Sequence, residues 1–268
     1  MRLSIWLLLT LWLSGCALSL SPAPPSAEKL AKMPQLQGVL LGETILSGSL
    51  YLADDVLVPR GSTLVLRAGS TIYVRVTEST KIDPEYLSAA TELLVRGSLR
   101  IEGKSDKPVR FVPVSEQTGA VLWSGITLDG ASDSRISGLE LHQAETGVLC
   151  INTSPVIADS RFIGCRYGLI AQHRSSPQIL GNQIRGGEGG IFCWHDSHPL
   201  IENNQILDNN EEGVFVDPTC RPQLRRNRIE GNDIGLALYP RSLELTEGQA
   251  RNNGRDLVWL GPDPPGGR

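Results

Sequence analysis

Three of the four histidines lie close to one another in the repeat pattern. His195 and His198 sit in the run Cys193-Trp194-His195-Asp196-Ser197-His198, and His173 precedes His195 by 22 residues. Imidazole and carboxylate groups are the common ligands of zinc and copper, and a histidine next to an aspartate can serve as a general base. His173, His195 and His198, with Asp196, therefore suggest a metal site. His195 and Asp196 alone suggest acid–base chemistry. A plain corner of a repeating structure, whose side chains recur because the backbone recurs, accounts for them equally well. The same stretch is rich in rings: Phe192, Trp194, Phe215 and Tyr239. Rings brought to one surface stack on flat or apolar ligands and mark an interaction site. No cofactor is implied by any motif.

What positions these residues is a repeat. Pro155, Pro177, Pro199 and Pro222 are spaced by 22, 22 and 23 residues. Two residues after each lies Ile157, Ile179, Ile201 or Leu224, and seven after each lies Phe162, Ile184, Ile206 or Ile229. Between them stand Ser160, Asn182, Asn204 and Asn227. A glycine then opens an apolar run at Gly168, Gly190, Gly213 and Gly235, with Gly147 a less regular earlier copy. A unit of this length with short alternating runs and polar corners predicts one rung of a parallel β-helix. Rungs stack at about 4.8 Å, so equivalent residues form ladders, and stacked corner amides can satisfy one another. The repeat glycines are expected to supply turns with positive φ. After each of them the first and third residues, such as Leu169 and Ala171, should face inward. The second and fourth should face out, gathering Phe192, Trp194, Phe215 and Tyr239 into one strip. His173 and His195 fall on the same corner of adjacent rungs.

The 22-residue repeats from 134 to 239 and the segments Val58-Pro59-Arg60-Gly61-Ser62-Thr63-Leu64 and Gly97 to Gly103 resemble the right-handed parallel β-helix superfamily of pectate-lyase-like proteins. The resemblance covers roughly residues 38 to 260. It implies an all-β fold, a single right-handed parallel β-helix of about nine rungs, with a loop insertion near 75–92. It implies no one activity, since such folds host lyases, hydrolases, epimerases, copper-processing proteins and plain binders. The clustered carboxylates of the lyases and the paired aspartates of the hydrolases have no counterpart here, because Asp159, Asp208, Asp217 and Asp233 occupy different registers.

At the amino end, Arg2 is followed by an apolar run from Leu3 to Leu13, too short to span a bilayer. The next residues complete Leu13-Ser14-Gly15-Cys16, which resembles the lipobox of bacterial lipoproteins. That resemblance implies a signal peptide over 1–15, lipidation of Cys16 and, with Ala17 following, anchoring to the bacterial outer membrane. Residues 16–37 read as a Pro/Ser-rich tether, 38–260 as the solenoid and 261–268 as a frayed tail.

The 268 residues carry 28 glycines and 17 prolines, which disfavours a helix bundle, and a formal net charge of -4, which speaks against nucleic acid as a partner. Cys150 and Cys193 share a ladder two rungs apart, about 9.6 Å, beyond the reach of a disulfide. For Cys165 and Cys220 spacing decides nothing. The reading is a non-catalytic envelope lipoprotein, a scaffold or binding module for a polysaccharide or partner protein. A polysaccharide lyase or hydrolase, and then a metal-handling periplasmic protein, are the alternatives.

Overall fold

The computed structural model describes residues 24–77, 88–114, 122–239 and 249–261. The segment 1–15, Cys16 with the Pro/Ser stretch to residue 23, residues 78–87 of the expected insertion and residues 262–268 of the tail lie outside the described residues.

The chain winds as a right-handed parallel β-solenoid of about nine turns, with two sheets of 17 and 8 strands. The smaller sheet runs from Glu43–Leu46 to Gln223–Arg225. The larger one bends to form two faces of the prism. One face carries Arg161–Ile163, Gln183–Arg185, Gln205–Leu207 and Arg228–Glu230. The other, here the aromatic face, carries Ala144–Ile151, Tyr167–Gln172, Gly189–Cys193, Glu212–Val216, Ile234–Leu238 and Arg255–Trp259.

The registers match the repeat. Ile157, Ile179, Ile201 and Leu224 are consecutive partners, as are Phe162, Ile184, Ile206 and Ile229. Val148, Leu169, Ile191, Val214 and Leu236 form the third inward ladder, and all these side chains are at most 5 % exposed. Full burial of each aliphatic side chain is worth about 1.5–3 kcal/mol, so every rung adds its own increment to one continuous core. The repeat prolines are buried where the chain enters the smaller sheet, and the carbonyls of Pro155, Pro177 and Pro199 accept from the next rung, as in Gln178 N to Pro155 O at 2.9 Å.

The corner amides stack as expected. Asn182 accepts from the backbone N–H of Ser160, and Asn204, Asn227 and finally Gln249 each accept from both the backbone and side-chain N–H groups of the preceding member. A second amide column, Asn209, Asn232 and Asn253, stands at the next corner and closes on Asp256. A hydroxyl column, Thr153, Ser175 and Ser197, stands at the third and ends on Cys220. Buried N–H groups that no strand can satisfy are thus satisfied at every corner.

The repeat glycines are not turn residues. Gly147, Gly168, Gly190, Gly213 and Gly235 have ordinary φ, and they are glycines because the next layer leaves no room. A Cβ on Gly190 would lie 2.2 Å from the Gly213 carbonyl oxygen and 2.5 Å from the Ile206 side chain. Positive φ falls instead at corner residues such as Gly138, Asp159, Gly181 and Asn203, and Gly164, Gly186, Asp208 and Gly231.

The first rung begins before residue 38. Ser26 caps a short helix, Ala27–Ala31, with its side chain accepting from Lys29 N, and strand Gln35–Val39 pairs with Ser49–Val58. Part of the expected tether is therefore ordered. Strands Thr71–Arg75 and Glu92–Val95 bracket the expected insertion. Among the described residues no helix is long and apolar enough to cross a membrane.

Candidate functional site

The outward ladder of the aromatic face runs Leu57, Leu94, Thr127, Leu149, Ile170, Phe192, Phe215, Ala237, Val258. Its exposure is uneven. Leu57, Leu94, Thr127 and Ala237 are buried although they point away from the core, whereas Leu149, Ile170 and Phe215 are half-exposed. The open stretch thus covers four strands, about 14 Å along the solenoid axis.

The rings gather in this stretch. Trp194 lies 4.4 Å from Phe215 and 6.4 Å from Phe192, and Phe192 stacks on Phe215 at 5.6 Å. Tyr167 meets Phe192 edge-on at 4.9 Å. Phe192 is only 7 % exposed because its ring folds over Gly189, where a Cβ would stand 2.3 Å from it. Phe192 is therefore the floor, and Trp194, Phe215 and Tyr167 present the accessible rings. Tyr167 escaped the sequence reading because it precedes the repeat glycine. The signal was Gly189, its partner on the next strand, a second glycine beside Gly190 that opens space for a ring. Tyr239 lies beyond Asp217 on the fourth-position ladder, with its ring beside Gly261.

Charged groups border the strip. On one side Arg166 lies over the Tyr167 ring at 5.4 Å and pairs with Glu188 at 2.8 Å and Glu145 at 3.4 Å. The Glu188 hydrogen bond, then that of Glu145, pushes the Arg166 pKa up, so the guanidinium stays charged. On the other side is the histidine corner. The His173 and His195 rings lie 4.7 Å apart, both exposed, with left-handed φ of 55° and 50°. They share a corner, as the spacing predicted. His198 does not join them: its Nδ1 accepts from Arg221 N at 3.1 Å and its Nε2 lies 3.5 Å from Asp196 Oδ1. Asp196 thus faces His198 and not His195, because two consecutive left-handed residues, His195 and Asp196, carry the chain around the corner. Among the described residues no three His, Cys, Asp or Glu side chains converge to hold a metal ion. The expected convergence of His173, His195 and His198 is not formed.

Asp217, directly after strand Glu212–Val216, is 6 % exposed. Its carboxylate accepts from His195 N at 2.6 Å, from Thr219 N and Oγ1 at 2.7 Å each, and from Cys220 N at 3.1 Å. Burial pushes this carboxyl up, but the Thr219 hydroxyl and the His195 N–H outweigh it and hold the group below the usual carboxylate range. Asp217 is a turn-forming residue; the extra residue of the last repeat interval enters earlier, between strands Gln205–Leu207 and Glu212–Val216, where the pairing offset steps from 22 to 23. The four cysteines from Cys150 on are buried, free thiols. Cys150 and Cys193 flank Ala171 on one inward ladder, as expected. Burial pushes the Cys150 and Cys165 thiols up to about 12, which makes them small core side chains and not nucleophiles.

Residues 124–261 match the family model described as right handed beta helix region. No curated protein matches the chain. Among solved structures, the periplasmic alginate epimerase AlgG aligns at 13 % identity and a TM-score of 0.37, over 78 % of this chain and 64 % of that one. A single-residue variant of the same enzyme aligns at 14 % identity and 0.37, over 75 % and 60 %. The chain thus spans less than two thirds of their length, and likeness at this level carries no argument about activity.

Proposed function

The chain belongs to the right-handed β-helix family, and we propose that it is a cell-envelope lipoprotein, held to the bacterial outer membrane through a lipidated Cys16, whose solenoid binds a glycan on the aromatic face without turning it over. The observation that carries the reading is the ring cluster of Tyr167, Trp194 and Phe215 over Phe192, on a stretch of the aromatic face open along about 14 Å. Sugar rings present apolar faces, and a chain of them laid along the solenoid would meet one ring of the protein after another. Polar rims formed by Arg166 with Glu188, and by His173 with His195, offer hydrogen bonds at the edges of the strip. Binding without turnover is supported by what the nearby acids already do. Asp217 is occupied by four hydrogen bonds and Glu188 by Arg166.

The test is a glycan array probed with the purified protein, beside its Trp194→Ala variant. Binding by the wild type, weakened about five- to tenfold by the substitution, is expected, since one stacked aromatic contributes on the order of 1–1.5 kcal/mol. A wild type that binds no glycan sinks the reading and favours a protein partner for the same rings. Release of shortened or unsaturated products from a bound glycan would favour an enzyme.

A further inference from the structure

Five large apolar side chains are exposed among the described residues, and all lie on the two terminal rungs. Val39 (53 %), Leu41 (75 %) and Ile45 (50 %) belong to the first, and Leu257 and Trp259 to the last. A solenoid stacks its rungs, so only the end rungs lack a neighbour, and an end that stays apolar needs something to cover it. The first rung has a specific candidate at hand. Strand Glu43–Leu46 ends the eight-stranded sheet there, and residue 24, where the described chain begins, leads directly into that rung through helix Ala27–Ala31. Seven residues separate Cys16 from residue 24, and such a length spans at most about 25 Å.

We propose that the first rung docks on the lipid bilayer, with Val39, Leu41 and Ile45 entering its interfacial region and the solenoid axis standing up from the membrane. The inference rests on Cys16 being the anchor. A tether this short holds the bilayer surface at a high effective concentration beside the apolar end, which no soluble partner matches. Exposed charges around it are Glu28, Lys29, Lys32 and Glu43, two of each sign, with Lys32 and Glu28 paired. Attraction is therefore apolar, does not require anionic lipid and resists salt. The geometry also sets the height of the ring cluster. Phe192 is six strands along the ladder that starts from Val39 opposite Leu57, about 29 Å above the first rung.

The experiment uses protein purified from the envelope of the cells that make it, on vesicles of phosphatidylethanolamine and phosphatidylglycerol containing brominated acyl chains. Mass spectrometry of the amino-terminal peptide first reports whether Cys16 is lipidated, which tests the anchor by itself. If it is not, the protein is coupled to a maleimide lipid through Cys16, the other four thiols being buried, so docking is read in either case. From Cys16 on, the tryptophans are Trp123, Trp194 and Trp259, none on the first rung. Leu41→Trp should add an emission component quenched about twofold by bromolipid, unchanged in high salt, while the wild type is barely quenched. Emission from Leu41→Trp that stays unquenched on vesicle-bound protein overturns the proposal. Shielding from acrylamide that grows with protein concentration, again without bromolipid quenching, also overturns it and assigns the end to a second copy of the chain.

Discussion

Asn204→Ala removes the middle member of the first amide column. The side chain accepts from Asn182 N at 2.8 Å and Asn182 Nδ2 at 3.0 Å. It donates to the carbonyls of Ile179 at 2.8 Å and Glu202 at 3.1 Å, and to Asn227 Oδ1 at 3.1 Å. Truncation strips the Asn182 N–H of this acceptor in a place with almost no solvent, whereas Asn182 Nδ2 keeps the Ile157 carbonyl and Asn204 N keeps Asn227 Oδ1. One orphaned buried donor costs about 1–3 kcal/mol, and the four other lost bonds, three of which share two N–H hydrogens, add roughly 0.5 kcal/mol each, for a total of about 3–5 kcal/mol. Against a stability of about 5–15 kcal/mol this is a large fraction. Urea unfolding followed by far-ultraviolet circular dichroism reads it, with Asn210→Ala, at an exposed corner position, as a control expected to move stability by less than about 0.5 kcal/mol. Asn204→Asp keeps the shape and both accepted bonds, yet turns an oxygen toward three acceptors, and should lose at least as much. Adding Asn182→Ala to Asn204→Ala should cost less than Asn182→Ala alone, because the bonds between them are already gone. A loss below about 1 kcal/mol for Asn204→Ala, or one equal to that of Asn210→Ala, would show that the column fills space and contributes little else.

Two other perturbations separate causes that look alike in sequence. Gly190→Ala places a Cβ 2.2 Å from the Gly213 carbonyl oxygen, so it should lower the unfolding midpoint strongly and weaken glycan binding through the displaced Phe192 strand, whereas Gly186→Ala, with φ of 69° and no atom within 4 Å, should cost only about 1 kcal/mol of backbone strain. Equal effects of the two substitutions in parallel melts would refute the close-approach account. Glu140 sits among His142, Arg161 and Arg110, and the His142 hydrogen bond with the arginine charges lowers its pKa from 4.5 to about 2. A folded pKa below the unfolded one stabilises the protein above the unfolded value and loses that contribution as pH falls from about 4.5 toward 2, so Glu140→Gln should flatten the acid limb of a stability–pH curve by up to about 3 kcal/mol. An unchanged acid limb would rule this out.

Much of the architecture was readable because a solenoid converts sequence period into spatial contact. Pro155, Pro177, Pro199 and Pro222 mark the period, and any two residues one period apart must be neighbours once the rungs stack. This is why Asn182, Asn204 and Asn227, the Cys150–Ala171–Cys193 order and the His173–His195 contact could all be placed in advance. The second amide column was missed because its upper positions are Cys165 and Gly187, so only Asn209, Asn232 and Asn253 show it. The role of the repeat glycines was misassigned because glycine marks both a positive φ and a close approach, and the sequence letter is the same for both.

The site was less legible for a different reason. Periodicity tells which residues share a ladder, and it put Phe192, Trp194 and Phe215 on one outer face. It does not tell how a side chain turns once outside the core, where no packing constraint repeats. Thus Asp196 turned to His198, Asp217 turned inward to hold a corner, Phe192 lay down over Gly189, and Tyr167 joined from outside the pattern. Sequence alone determined the rung, its register and the residues that build the interior, because backbone pairing at a constant spacing leaves little freedom there. Only the tertiary structure decided which outward side chains meet and how much of the strip is open, because those depend on rotamers, corners and cover that differ from rung to rung.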